Sequence, residues 1–321
     1  MKRVVLPCLV VLASLVAAPQ ASAAACQYTK QDLPVPAGVG DVFLNGGSAN
    51  NSRIVGQAQA GSYTQTLYWA NGTLRQLPPA APDASTYGFD VNNTGVIAGF
   101  VVDSVNGIPA TTRAFRYENG AYEFLETDAG KDSAARAVNQ AGDVAGLHGG
   151  DLYLWPRGGA RKLIAAQSGQ VMGISDDGKI VARSSSGIKV FDVGGGPVVT
   201  IPGGGIGTAV MDNDRVFLVA RASSGELVTS EYDLNGVKVA EHPVNGRTFG
   251  RNGSGTVWGT YSQPDATRTH ALWRSTGRTD VVADPMPLES VYSDITDAAT
   301  LIGTHRTDQG VRPARWLWVC S

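Results

Sequence analysis

The side chains of this chain that are able to do acid–base or ligand chemistry are few and scattered. There are four histidines, His148, His242, His270 and His305. Two of them stand among other charges, His270 after Asp265 and Arg268, and His305 before Arg306 and Asp308. An enzyme acting on an acidic polysaccharide needs such groups to abstract a proton or to hold a sugar carboxylate. With Arg113 and His148 added, the candidate ligand set is Arg113, His148, Asp265, Arg268, His270, His305, Arg306 and Asp308. The competing reading is scattered charge on solvated loops, which leaves catalysis second to plain binding. No Gly-x-Ser-x-Gly, His-Glu-x-x-His, Cys-x-x-Cys or P-loop pattern occurs. The run Gly203-Gly204-Gly205-Ile206-Gly207 lacks the spacing of a dinucleotide loop and precedes a strand-like stretch. The turns Asp176-Asp177-Gly178 and Asp212-Asn213-Asp214 offer oxygen ligands of the kind calcium takes. Asx side chains in tight turns ordinarily bond their own backbone, however, so neither metal nor cofactor is expected.

The remaining reactive side chains are cysteines. Residues 1–23 have a basic start at Lys2 and Arg3, an apolar run over Val4–Val16 and the small-residue site Ala21-Ser22-Ala23. This is the pattern of a secretory signal peptide, cleaved after Ala23. Cys8 leaves with it, and Cys26 and Cys320 remain at the two ends of the mature chain. In an oxidising compartment two such cysteines read as one disulfide. The alternative is lipidation of Cys26, against which stands the absence of a large aliphatic residue three positions upstream. Loss of Lys2 and Arg3 leaves 24 basic against 28 acidic residues. A mildly acidic surface argues against a nucleic-acid or anionic-membrane partner. No later run is apolar for long enough to span a bilayer, and a soluble monomer in the periplasm or medium is expected.

What must position these residues is a repeat. The stretch Phe89–Gly99, FDVNNTGVIAG, is a short strand, an Asn-rich turn closing on Gly, and a second strand ending on Gly. It recurs at Arg136–Gly146, Met172–Ala182, Thr208–Leu218, Phe249–Gly259 and Ser293–Gly303, with a worn copy at Gly46–Gly56. The ends of the seven copies are 36 to 47 residues apart, the spacing of a propeller or solenoid unit. After each copy comes a strand ending in an aromatic, such as TLYW at Thr66–Trp69 or AFRY at Ala114–Tyr117. A Gly turn usually follows, as at Asn71-Gly72 and Asn119-Gly120, and Asn-Gly is the strongest short-range hairpin signal. A fourth strand closes the unit. Four strands a-b-c-d in an antiparallel meander make a propeller blade, and 40 glycines with few helix-forming runs favour an all-β chain. The Gly ending strand b is expected to let the neighbouring sheet approach closely. The aromatic ending strand c is expected to fill the widening space further out.

The seventh unit stops after RWLWVCS, without its fourth strand. The missing piece is at the other end, where YTKQDLPVP (Tyr28–Pro36) resembles TLRQLPP (Thr73–Pro79). Residues 24–321 are therefore expected to form one seven-bladed β-propeller, closed by an N-terminal strand that completes the last blade. Cys26 and Cys320 would then face each other across the seam.

The figure Ala-x-x-hydrophobic-Asn-x-x-Gly-x-hydrophobic-x-Gly, followed by an Ala-aromatic strand and a Gly turn, resembles the HAF repeat of bacterial extracellular proteins. Ala137-Val138-Asn139, Gly142 and Gly146, and Ala114-Phe115-Arg116-Tyr117, carry the likeness best. Copies five and seven depart from it, with Asp214 at the Gly position and Thr296 and Ala299 at the Asn and Gly positions. The resemblance implies secretion and a propeller-like repeat fold, and it supplies no chemistry.

In a meander of this kind the a–b and c–d turns share one face, and the b–c and d–a connections share the other. The former are tight and Gly-closed. The latter, at Gln57–Gln65, Phe100–Arg113, Thr260–Thr269 and Thr304–Arg312, read as longer irregular loops. Loops on a rigid scaffold carry function more often than the scaffold does. The leading expectation is a secreted or periplasmic, non-catalytic module binding a protein or glycan on the b–c/d–a face. The alternative is a polysaccharide lyase or glycosidase using the His, Arg and Asp groups of that face. A structural component without a discrete site is the third reading.

Overall fold

The structure, a computed structural model, describes residues 26–320 except 51, 83, 106–107, 195, 204–207, 213, 222–226, 243–245, 263–267, 275–276, 281–290 and 298. Residues 1–23, the expected signal peptide, lie outside it. The described residues form 28 strands in seven four-stranded antiparallel sheets and no helix. Six sheets are consecutive in sequence: 42–76, 85–124, 133–165, 170–200, 208–242 and 246–280. The seventh joins Val291–Ile295, Leu301–Thr307 and Gly310–Cys320 to the N-terminal strand Cys26–Asp32. The chain is a seven-bladed β-propeller. Among the described residues no helix is long and apolar enough to cross a membrane.

Burial grades from the axis outward and explains the composition of each strand. Strand b of blade three, Val144–His148, is covered on both faces by neighbouring blades and reads as the unbroken apolar run VAGL before its histidine. The outermost strands, Thr73–Gln76 and Ala121–Phe124, alternate exposed and half-buried residues and are correspondingly polar. The strand-c aromatics fill the wider outer space, Trp69 fully buried and Trp155 nearly so. Each tryptophan also donates its indole N–H to a carbonyl of the connection entering its blade, Trp69 to Pro34 at 2.8 Å and Trp155 to Glu126 at 2.9 Å. The Asn-Gly hairpins form as expected, with φ of 51° and 77° at Asn71-Gly72 and 53° and 85° at Asn119-Gly120, the two positive values a tight primed turn requires.

The repeated Asn of the a–b turn does two things at once. Asn92 Oδ1 accepts from the backbone N–H of Thr94 and Val96, both at 3.0 Å, which closes its own turn. Its Nδ2 donates at 2.9 Å to the carbonyl of Asn139, the equivalent residue of the next blade. Asn139 in turn donates to the Ser175 carbonyl at 3.5 Å, and Asn252 to that of Thr296 at 3.0 Å. The result is a hydrogen-bonded belt running from blade to blade around one rim.

The Gly ending strand b has a different cause from the expected one. A Cβ on Gly99 would lie 2.2 Å from the carbonyl oxygen of Tyr87, and one on Gly146 the same distance from that of Ala134. The obstruction is strand a of the same blade, not the neighbouring sheet. At that point strand a carries a bulge: the register slips by one residue across Asn45, Phe89, Arg136, Met172, Phe249 and Ser293 in six blades. Blade five has Leu218 at the Gly position, and its register runs through without a slip.

The b–c connections also differ from the expectation of irregular loops. Strands Ile97–Val105 and Ile108–Glu118 continue as a ladder almost to the tip, as do Arg53–Ala60 with Tyr63–Ala70 and Leu301–Thr307 with Gly310–Cys320. A chain projecting from the propeller must satisfy its backbone groups, and a long hairpin does so within itself.

Closure follows the expected register. Cys26–Asp32 pairs antiparallel with the last strand, Cys26 opposite Cys320 and Asp32 opposite Ala314. The Tyr28 and Trp318 rings meet at 4.8 Å, and Tyr28 donates its hydroxyl to the Ala299 carbonyl at 2.8 Å. Two positions test this account with opposite changes. Ala299 occupies the repeat's Gly position at a φ of 57°, where an L side chain is strained, so Ala299→Gly is expected to stabilise the fold by about 1 kcal/mol. Gly99→Ala is expected to cost about 3 kcal/mol through collision with the bulge, both changes being read by urea unfolding.

Candidate functional site

Seven strands a facing one axis leave a channel between them, of about 790 Å³. It runs from Gly169 and Gln170, where strand a of blade four begins, to Asp176 in the turn where that strand ends. The bulges shape its wall. A bulged residue is left out of the ladder and its side chain is re-aimed. Asn45, Phe89, Arg136 and Met172, all at bulge positions, line the channel. Asn45 donates across to the Gly88 carbonyl at 2.6 Å and thereby ties blade one to blade two.

Arg136 is the one charged residue among the six bulge positions. Its guanidinium carbon lies 4.1 Å from the Phe89 ring centre and 5.4 Å from that of Phe100. Behind it Phe89 and Tyr87 both stack on Phe100, at 5.4 and 4.9 Å. Burial pulls the Arg136 guanidinium below its ordinary value, though an arginine stays charged in any protein interior. Asp90 lies beside this group in the channel wall. Burial pushes its carboxyl up to about 6, opposed by backbone N–H donors from Val138 and Val91, each at 2.8 Å. Asp212 occupies a comparable place in blade five, accepting from the Arg251 N–H of blade six at 2.8 Å.

The residues singled out from sequence lie elsewhere. Arg113, in blade two, forms a two-point ion pair with Asp103 and covers the Phe124 ring at 3.9 Å. His148 is buried in blade three with its Nε2 3.1 Å from Asp128 Oδ2. The Arg161 guanidinium at 2.5 Å, then His148, hold the Asp128 carboxyl well below the usual carboxylate range. His305, buried in blade seven, sits 2.9 Å from Asp32 Oδ1, with Lys30 Nζ 3.4 Å from its other ring nitrogen. It therefore locks the closing strand. Arg306 and Asp308 are exposed at the blade-seven hairpin tip. His270 is half-buried in strand c of blade six, Arg268 lies in the same strand, and Asp265 is outside the described residues. His242 joins a further cluster, in which buried Glu231 takes His242 Nε2 at 3.1 Å, Arg251 at 2.6 Å and Arg215 at 3.4 Å.

The acidic turns are likewise spent on structure: Asp176 accepts the Gln140 N–H of the preceding blade at 2.8 Å, and Asp177 accepts the Ser175 hydroxyl at 2.5 Å. Sequence reading passed over Arg136 and its aromatic neighbours. The one available signal was an arginine at a repeat position where the other copies carry uncharged residues.

No protein-family model matches this chain, and no curated protein does either. Among solved structures, a chain of the mitotic checkpoint complex is similar at TM-score 0.53, with 12% identity over 98% of this chain and 100% of that one. An oligogalacturonate lyase from Vibrio parahaemolyticus is similar at TM-score 0.57, with 8% identity over 92% of this chain and 98% of the lyase. At such identities the likeness is one of fold.

Glu231 supplies a test of how the histidines and arginines are used. Burial opposes its ionisation, but hydrogen bonds from His242 and Arg251 outweigh that and hold its carboxyl below the ordinary value. A carboxyl lowered on folding contributes stability above its unfolded pKa of about 4.3 and loses it as pH falls through the folded value. Glu231→Gln leaves the partly exposed Arg251, Arg215 and His242 side chains without their carboxylate and is expected to cost about 2 kcal/mol at neutral pH. The gap between variant and parent should narrow below about pH 4 in thermal melts taken across the acid range.

Proposed function

We propose that this chain is an exported, non-catalytic binding module for a protein or glycan, with its central channel as the ligand pocket and the b–c/d–a hairpins as the surrounding surface. The observation that carries the reading is where the reactive side chains are spent. His148, His242 and His305 each face a carboxylate that itself holds the fold together. The channel lining offers one cation, aromatic rings, amides and the carboxyl groups of Asp90, Asp176, Asp212 and Asp214, and among the described residues no acid there is paired with a histidine or lysine base. A cavity of this size is in the ordinary range for small ligands or for a protruding group of a larger one.

The alternative, a carbohydrate-active enzyme, draws support from Asp90. A carboxyl near pH 6 in a channel wall suits a general acid. Against it, both carboxyl oxygens of Asp90 are occupied by backbone donors.

Export rests on the signal-peptide pattern of residues 1–23 and on the kinship to HAF repeats read from Ala137–Gly146. The Cys26–Cys320 disulfide belongs to the same proposal, supported by a register that sets the two residues directly opposite each other in the terminal strand pair. Closing a loop of nearly the whole mature chain is worth roughly 5–6 kcal/mol by chain entropy. Non-reducing peptide mapping of exported protein is expected to yield one Cys26–Cys320 peptide; two free thiols, or an acylated Cys26, would overturn the pairing. The functional reading is checked by incubating the purified chain with a panel of oligosaccharides and peptides and following both binding and products. Saturable binding with the ligand recovered intact is expected, and cleavage of any panel member would favour the enzyme.

A further inference from the structure

We propose that Arg136 is the anchor of a carboxylate-binding site inside the channel, and that the ligand is a small organic acid or carries one as its inserted group. This rests on the binding reading and deepens it by naming the site and the chemistry it takes.

The first observation is that the Arg136 guanidinium is unsatisfied by the protein. Among the described residues it makes no hydrogen bond and no ion pair, only its ring contacts with Phe89 and Phe100. Five other arginines of the chain are each matched to a carboxylate: Arg113 to Asp103, Arg116 to Glu123, Arg157 to Glu118, Arg161 to Asp128, and Arg251 to Glu231. A half-buried guanidinium left with five free donors favours an acceptor from outside, because desolvation without a partner is costly.

The second is that the group is held ready. A bulge takes Arg136 out of the ladder, and its guanidinium rests against the Phe89 and Phe100 rings, which are themselves stacked with Tyr87 beside the channel. Holding the fork in place lowers the entropy lost when two parallel N–H···O bonds form. That geometry matches the two oxygens of a carboxylate.

The third is the surrounding charge. Asp90, the nearest acid along the wall, already has both oxygens bonded to the amides of Val91 and Val138 and does not reach Arg136 as a partner. Asp212 accepts the Arg251 amide. Asp176 and Asp214 lie at the rim and are exposed to solvent, where salt screens them. With four carboxyl groups in the lining against one cation, a multiply charged anion is disfavoured, and the charge of the ligand is confined to the one group that Arg136 takes. The amide of Gln170, two residues before the bulge position of blade four in the same wall, can pair with a hydroxyl near that carboxylate.

The test uses the purified mature chain and three variants. Arg136→Met keeps the packing on Phe89 without charge, Arg136→Lys keeps charge without the fork, and Arg75→Met removes an exposed arginine of the outermost strand of blade one as a control. Each is titrated by calorimetry with sodium glucuronate, sodium succinate, sodium phosphate and sodium sulfate, with circular dichroism confirming the fold. The parent and Arg75→Met are expected to bind a carboxylate in preference to phosphate and sulfate, Arg136→Lys roughly tenfold more weakly, and Arg136→Met with no measurable saturation. Should Arg136→Met not fold, loss of affinity in Arg136→Lys with a chemical-shift change at the Arg136 Nε of the parent on adding glucuronate decides the same point. Equal carboxylate binding by parent and folded Arg136→Met, no saturation by either carboxylate, or equal binding of sulfate and phosphate would each overturn the proposal. Oligosaccharide or peptide binding that survives Arg136→Met would overturn this site while leaving the binding reading intact. Carboxylate binding through Arg136 accompanied by cleavage of a panel substrate would do the reverse.

Discussion

The ring depends on blade-to-blade hydrogen bonds at the inner rim, where the a–b turns crowd around the axis. The turn carbonyls of Ala49, Asn139, Ser175 and Thr296 each accept from a neighbouring blade. One residue type solves both halves of the problem. An asparagine carboxamide has an oxygen to close its own turn and an N–H₂ to reach onward, as Asn92 does to Asn139 and Asn252 to Thr296. A single such bond is worth only about 1 kcal/mol net, but a satisfied chain of them in a poorly solvated ring is stronger than its parts and costly to interrupt. Where the asparagine has eroded to Ser48, Ser175 or Thr296, the hydroxyl still accepts from the local backbone at 3.0, 2.8 and 3.3 Å. It has no second donor to pass on. Backbone amides then take over the link, Asp297 donating to the Ala49 carbonyl at 2.9 Å and Asn50 to Asn93 Oδ1 at 3.1 Å. The belt therefore crosses the seam between blade seven and blade one.

A closed ring has consequences that an open array of repeats does not. No terminal unit exposes an unpaired face, so no capping unit is required. In exchange one blade must be assembled from both ends of the chain. The seam is held by the terminal strand pair, by the Tyr28–Trp318 contact and by buried His305 against Asp32. The ring also encloses a channel, and the channel's chemistry is set by the bulges. A small residue at the end of strand b, Gly in five blades and Ala182 in blade four, leaves space for the displaced carbonyl of strand a, and the slip re-aims one side chain in each of those six blades. The repeat that builds the wall thus provides a variable position in it, and in blade three that position is Arg136.

Stability and function draw on the same residue types at different places. His148 and His305, which stand out in the sequence, are used to hold carboxylates of the fold, as are His242, Arg161 and Arg251, the last reaching from blade six to Glu231 of blade five. Such clusters suit an all-β ring whose blades contact one another mainly through flat sheet faces, since charge pairs with fixed geometry help to set which faces meet. Arg136 differs in having aromatic rings for neighbours and no carboxylate.

Periodicity alone determined the architecture. Seven copies of one figure, the Asn-Gly hairpins and the truncated last unit required seven meander blades and a strand borrowed from Tyr28–Pro36. They also set Cys26 opposite Cys320 in the terminal strand pair. These are consequences of repeat register, which is written locally in the chain. The tertiary structure decided what the side chains do. His305 lies 273 positions from Asp32 and Asn92 lies 47 from Asn139, so no local pattern joins either pair. A bulge adds a single residue and reverses the in–out alternation beyond it, so that reading strand a with a strict period of two misplaces Phe89 and Arg136. The Gly pattern recorded that something had to be accommodated opposite strand a. Only the folded ring fixed that it was a displaced carbonyl, and that the arginine beside it faced the channel without a partner.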